Sequence, residues 1–270
     1  MSPEMRNAEP PHPEEIIRRG SIELLAQRVK DQAWPGYPPY EERIQADNLL
    51  YVPEQHNVLL PTDYGWVNQA DLADASFRKE YPDTVTQFDA EGRPLHPWFW
   101  DMLQSEAGVL GGKGAYWEWG PNYTADPIIV RHDLEEPHVL LIQRSDTHGW
   151  ALPGGFVDPG ETGFYAAMRE AGEETGPDIQ MALRRPGVGM HLVYQGPVAD
   201  LRATAHAWPE TTAVRFDIPD HVATEHLLEM QWEGNDEAGE IEAVAWVPLS
   251  EIGNRLHGSH RFLIETALAA

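Results

Sequence analysis

The segment from Gly155 to Pro177, GFVDPGETGFYAAMREAGEETGP, constrains this chain more than any other. Thr162 offers an N-cap hydroxyl and Gly176–Pro177 a C-terminal stop, so the pattern predicts a helix over 162–175. Phe164, Ala167, Met168 and Ala171 fall at i, i+3, i+4 and i+7, the spacing of a buried stripe. Glu170, Glu173 and Glu174 fall at i, i+3 and i+4 on a second face, roughly 115° away at about 100° per residue. Carboxylates stacked in this way repel by about a few tenths of a kcal/mol per pair. Gly172 inside the same helix costs about 1 kcal/mol more. The helix is not optimised for its own stability. A divalent cation turns the repulsion into attraction, and Mg²⁺ takes oxygen ligands from few carboxylates, several waters and substrate phosphates.

The rest of the chain divides into three zones. Residues 1–33 form a polar N-terminal segment with a helical pattern of Ile16, Ile17, Leu24, Leu25 and Val29. Residues 34–119 are turn-rich and aromatic, with WPGYPPY, YPDT and EGRPLHP as punctuation, and are expected to form an N-terminal capping domain. A short helix is expected within 97–106. From residue 120 to 270 short apolar runs alternate with two helical patterns. HVLLIQ (138–143), MHLVYQ (190–195), TAVRFDI (212–218) and IEAVAWVPL (241–249) read as strands, and a second helix is expected over 250–269. Strands mixed with helices suggest an α/β sheet covered by helices.

Composition excludes several classes. The chain has 270 residues, 41% hydrophobic and 23% charged, which is ordinary globular usage and rules out a collagen, a coiled coil or a disordered tail. No stretch of about eighteen apolar residues exists to span a membrane. The opening MSPEMRNAEPPHPEE has no apolar h-region, so no secretory signal is expected. Cysteine is absent, so a disulfide framework and a thiolate metal site are excluded, and a cytoplasmic location is expected. Asp and Glu number 44 against 19 Lys and Arg, a net charge of −25. Such a surface repels a nucleic-acid backbone. A phosphate-bearing small substrate stays compatible where bound cations neutralise carboxylates.

The spacing Gly-x5-Glu-x7-Arg-Glu-apolar-x-Glu-Glu-x-Gly-apolar is met by Gly155, Glu161, Arg169, Glu170, Ala171, Glu173, Glu174, Gly176 and Pro177. Its seven fixed positions match; at about 7% frequency each, chance is on the order of 10⁻⁶ over the chain. The segment resembles the signature of the Nudix hydrolases. Two softer positions depart, Ala171 being small and Pro177 not aliphatic. The resemblance implies a Nudix α/β/α sandwich with a mixed sheet, preceded by a smaller N-terminal region. It implies Mg²⁺ or Mn²⁺ held by Glu170, Glu173, Glu174 and the Gly155 carbonyl. Arg169 would orient the glutamates, Glu161 would brace the loop, and Gly176 belongs to the same box. The reaction implied is hydrolysis of a nucleoside diphosphate linked to another group.

GPNYTADPIIVR (120–131), WALPGGFVDPGE (150–161) and YQGPVADLRATAHAWPETTAVRF (194–216) are similar to the ADP-ribose pyrophosphatase branch, as are the upstream YVPEQHNVLL and EGRPLHP. The branch implies Mg²⁺-dependent cleavage of ADP-ribose to AMP and ribose 5-phosphate by a monomer or homodimer. The alternatives are hydrolysis of NADH, a sugar nucleotide or a dinucleoside polyphosphate, and non-catalytic sensing of ADP-ribose. A sensor is argued against by the presence of all three signature glutamates. Tyr123, Asp126, Asp200, Arg202 and Trp208 are the candidate substrate residues, while Trp117 and Trp119 are read mainly as packing. The branch carries an Asp near Ala205 and an Asn near His206, and this chain has neither. The base is expected from the acidic loop EGNDEAGE, where Glu233, Asp236, Glu237 and Glu240 are eligible and Glu237 is chosen. The 12 histidines show no HExxH spacing and are read as structural or surface groups.

Overall fold

The computed structural model describes residues 73–103, 109–145, 147–200, 202–219, 239–252 and 256–269, together with 15, 17–20, 22, 65–67 and 232–233. Leu24, Leu25, Val29, the segment 51–60, Asp236 and Glu237 lie outside the described residues.

The strands are β1 (Gly65–Val67), β2 (Val109–Gly111), β3 (Gly120–Arg131), β4 (His138–Arg144), β5 (Trp150–Ala151), β6 (Gly155–Phe156), β7 (Gly189–Pro197), β8 (Ala207–Ile218), β9 (Trp232–Glu233) and β10 (Ile241–Pro248). Residues 15, 17–20 and 22 are helical, and the further helices among the described residues are α1 (Phe99–Leu103), α2 (Gly163–Thr175), α3 (Pro177–Leu183) and α4 (His260–Ala269), with a 3₁₀ turn at Leu249–Glu251. Among the described residues, one mixed sheet runs β7-β8-β3-β4-β10-β9, with β5 on β4 and β6 on β3. The β3–β8 pair is parallel from Gly120↔Ala207 to Arg131↔Ile218, and the other pairs of this sheet are antiparallel.

The sheet is covered on both faces. Leu140 and Ile142 of β4 face α2 and α3, while Val139 and Leu141 face α4. The apolar run HVLLI is therefore a strand buried on both sides, where alternation disappears. Ala166, Ala167 and Ala171 are fully buried, and such small side chains let α2 lie close to the sheet. Phe164 and Met168 pack at the margin of that cluster. Gly172 sits where α3 crosses, since a Cβ there would lie 2.8 Å from Gln180 Cβ. Helix crossing explains the glycine inside α2.

Two expectations change and one is extended. Residues 120–131, absent from the four strand patterns of the sequence, form a long central strand. Gly176–Pro177 does stop α2, which ends at Thr175, but Pro177 also opens α3, in whose first turn its missing N–H has no partner to lose. The expected final helix over 250–269 is confined to His260–Ala269, after the 3₁₀ turn.

Residues ahead of β3 share a core with the main sheet. Val85, Leu95, Phe99 and Met102 cluster with Ala203, Ala205 and Trp208. Backbone bonds join the same parts: His96 N–H to Ala205 O at 2.8 Å, Ala205 N–H to Leu110 O at 2.6 Å and Gly120 N–H to His206 O at 2.7 Å.

Candidate active site

Strands β3 and β4 touch only at Val130↔Val139 and Arg131↔His138 and then separate. β6 takes up β3 at Thr124 and Ala125, and β5 takes up β4 at Ile142 and Gln143. The chain from 150 to 156 thus fills the splay, and a cleft of about 340 Å³ opens over it. Asp126, Arg144, Gly154, Gly155, Phe156, Glu170, Glu174, Asp200, Arg202, Glu240, His257 and His260 are among its lining residues.

Helix α2 supplies the carboxylates. Thr162 caps it by accepting from Tyr165 N–H, and the N–H of Gly176 closes it on Gly172 O at 2.9 Å. Arg169 is the hub of the signature. Its Nη1 donates to Glu170 Oε1 at 2.7 Å and to Glu173 Oε2 at 3.0 Å, and its Nη2 donates to Glu161 Oε2 and Phe156 O, each at 2.9 Å. Glu161 also accepts from the Asp158 N–H. One guanidinium therefore ties the loop to the helix through charge-assisted bonds. Glu173 is exposed and rests on Arg169, so it is not among the groups lining the cleft, whereas Glu170 and Glu174 are. Glu174 Oε2 accepts the Gly154 N–H at 2.7 Å.

Burial holds the acids of this cleft toward their neutral forms. Burial pushes Glu174 up to about 8, against the Gly154 N–H and with Glu170 and Asp126 adding to the rise. Burial also raises Glu170, although Arg169 opposes it. Asp126, on β3, accepts from Thr211 Oγ1 at 2.5 Å, and burial still lifts it to about 6. Among the described residues no three acidic or histidine side chains converge as a ready metal cage. The donor set nevertheless suits a hard cation that keeps waters and takes part of its shell from substrate. Glu170 and Glu174 are desolvated oxygens on one helix. Gly155 leaves no room between them and the loop, since a Cβ there would lie 2.6 Å from Glu170 Oε1.

The far side of the cleft is built by the loop after β7. Asp200 takes a forked contact from Arg202, with Nε at 3.0 Å and Nη2 at 2.7 Å. Asp200 stays below the usual carboxylate range because Arg202 outweighs its burial. The Arg202 guanidinium lies over the rings of Tyr116 and Phe156, 5.5 and 5.9 Å from their centroids. Trp117, 69% exposed, meets Phe156 edge to face.

Two expected substrate residues lie outside the cleft. Trp208 is 0% exposed, packs on His96 and donates from Nε1 to Glu210, so it is a core residue. Tyr123 is 45% exposed and is not part of the lining, although Thr124 and Asp126 are. Strand alternation separates it from them. The acidic loop contributes Glu240 to the cleft, while Glu237 falls outside the described residues. The reading of the histidines as surface or purely structural is corrected for two of them. His257 and His260 line the cleft, each held down near 4 chiefly by burial. Their distance in sequence from the signature hid this.

The NUDIX domain model of known families matches residues 123–265. The chain belongs to the NUDIX family. Rat mitochondrial ADP-ribose pyrophosphatase is 33% identical over 202 residues, covering 64% of this chain and 53% of that protein. A Caenorhabditis elegans protein carrying the nudix hydrolase 6 name is 33% identical over 241 residues, covering 87% of this chain and 84% of its own. A Nematostella vectensis transient receptor potential cation channel subfamily M member-like 2 is 29% identical over 206 residues, covering 68% of this chain and 13% of the channel. The chain thus spans about half of the rat relative and a small part of the channel. Among the described residues no helix is long and apolar enough to cross a membrane.

Proposed function

We propose that this NUDIX chain hydrolyses ADP-ribose to AMP and ribose 5-phosphate with bound Mg²⁺ or Mn²⁺. The observation that carries the hydrolytic part is the placement of Glu170 and Glu174 in one cleft with the Asp200–Arg202 pair facing them. Similarity to the ADP-ribose pyrophosphatase supports the choice of substrate.

Water adds to one phosphorus of the diphosphate, the bond to the bridging oxygen breaks, and two monophosphates leave. Glu170, Glu174 and the Gly155 carbonyl would hold the cation, with Glu173 on the same turn of α2, Arg169 fixing Glu170 and Glu173, and the Gly154 N–H fixing Glu174. When bound, the metal neutralises the diphosphate and lowers the pKa of an attacking water. Arg202 presents a guanidinium, already aligned by Asp200, to the phosphate and sugar beyond the scissile bond. Glu240 and the acidic loop that includes Glu237 are the candidates for accepting the water proton.

A competition assay tests the substrate. ADP-ribose, NADH, a sugar nucleotide and a dinucleoside polyphosphate are supplied at equal concentration with Mg²⁺. A kcat/KM for ADP-ribose at least about tenfold above each rival, roughly 1.4 kcal/mol, is expected. A rival substrate cleaved faster would replace ADP-ribose in this account.

A further inference from the structure

The turn that precedes α4 is bound to the cleft along its length. Leu256 forms a parallel bridge with Trp150, and the His257 N–H donates to Trp150 O at 2.9 Å. Ser259 Oγ accepts the Ala199 N–H at 2.9 Å, next to Asp200. His260 Nδ1 accepts the Leu152 N–H at 2.8 Å, across 108 residues of chain.

This last bond has a particular consequence. Residues Leu152, Pro153 and Gly154 lie between the short strands β5 and β6, outside both. A buried backbone donor needs an acceptor. Leu152 finds it in His260, proline has no N–H, and Gly154 finds it in Glu174. The segment leading to Gly155 therefore hangs from one imidazole and one carboxylate. The room around it is small, since a Cβ at Gly154 would lie 2.6 Å from Asp126 Oδ1. An imidazole accepting at Nδ1 carries its proton at Nε2, and Nε2 faces Asp126 Oδ1 at 3.7 Å. Burial, with the Arg144 charge adding to it, keeps the ring neutral.

We propose that His260 is a positioning residue. Through Nδ1 it fixes the Leu152–Gly155 segment, and with it the Gly155 carbonyl and the Glu174 carboxylate, in the geometry that hydrolysis uses. The catalytic half of this inference rests on the hydrolytic reading above.

The test compares three variants of the full chain. In His260→Asn the amide group places an acceptor close to the Nδ1 position. In His260→Gln the polar atoms reach only the Nε2 position, and in His260→Leu no acceptor remains. Amide hydrogen exchange at Leu152, Mn²⁺ affinity and ADP-ribose kinetics are measured on each. His260→Gln and His260→Leu should lose protection at Leu152, bind Mn²⁺ at least about tenfold more weakly and lose kcat by a similar factor, with KM little moved. His260→Asn should restore all three readouts toward wild type. Should His260→Leu fail to fold, the Asn and Gln pair carries the same contrast. Equal behaviour of the three variants, or retained Leu152 protection in His260→Gln, would overturn the proposal. Exchange and Mn²⁺ binding need no turnover. A wild-type chain inert toward ADP-ribose but showing the Asn–Gln contrast therefore removes only the substrate assignment.

Discussion

The Gly154 N–H and the Glu174 carboxylate meet at 2.7 Å, a bond that joins the loop between β5 and β6 to the last turn of α2. It gives a buried acid a fixed direction before any cation arrives. Glu174→Gln removes the group that can ionise to bind a cation, and one ligand oxygen, while keeping an acceptor for Gly154. Mn²⁺ affinity, read by calorimetry, should fall by at least about tenfold, with the fold retained by circular dichroism. Wild-type affinity in this variant would remove Glu174 from the metal site.

The same loop gives a steric prediction. A Cβ on Gly155 would sit 2.6 Å from Glu170 Oε1, so Gly155→Ala must push either the loop or the carboxylate aside. Gly155 has no positive φ, so the substitution adds no left-handed strain. A displacement of about 1 Å at a reacting centre costs as much as about 100-fold in rate. The expected result is a large loss of kcat with a small change in melting temperature. Full activity would show that the loop has slack.

The acid–base balance of the cleft predicts a pH dependence. Glu174 is raised from 4.5 to about 8, so the folded state holds its proton more tightly than the unfolded chain. That contribution is fully present below pH 4.5 and is lost as pH rises through about 8. Asp126 has the same sign but is exhausted near 6. His257 and His260 have the opposite sign: lowered from 6.5 to about 4, they cost stability as pH falls below 6.5. Between about pH 7 and 8.5 the Glu174 contribution falls by about 1 kcal/mol, or about 2–4 °C in melting temperature. In chelator, wild type should lose that much more than Glu174→Gln over this interval, and saturating Mg²⁺ should abolish the difference. Parallel slopes in chelator would contradict the assignment.

Trp208 separates core from site. It is fully buried beside His96 and Ala205, outside the cleft lining. Trp208→Ala should lower stability by about 3–5 kcal/mol. Trp208→Phe should lower the melting temperature while leaving kcat/KM at its wild-type value. A raised KM in a stably folded Trp208→Phe chain would return Trp208 to the substrate site.

The helix α2 was legible because every signal for it is local: Thr162 as cap, the stripe of Phe164, Ala167, Met168 and Ala171, Gly176 as terminus, and glutamates at helical spacing. The strands β4, β7 and β10 were legible through short apolar runs. β3 was not, because GPN and Asp126–Pro127 are good turn chemistry in isolation. The fold admits Pro127 where β3 has one neighbour, between its contacts with β6 at Ala125 and with β4 at Val130. Gly176–Pro177 was legible as the stop of α2, whereas the start of α3 on the same proline was not, since a proline that ends one helix can also open the next. The carboxylates of the cleft could be read from spacing. The contribution of His257 and His260 could not, because it depends on how the chain after β10 returns to β5, and no short motif encodes that return. Trp208 shows the converse error, in which proximity in sequence to Asp200 and Arg202 implied proximity to substrate.

The most direct test of the account is AMP formation from ADP-ribose, followed by anion-exchange chromatography with Mg²⁺ and with chelator, for the intact chain and for Glu170→Gln. The account predicts AMP and ribose 5-phosphate in equal amounts from the intact chain with Mg²⁺ alone. In chelator no AMP should form, and Glu170→Gln should be slower by at least about 100-fold. AMP formed equally well in chelator, or by Glu170→Gln at the wild-type rate, would contradict it.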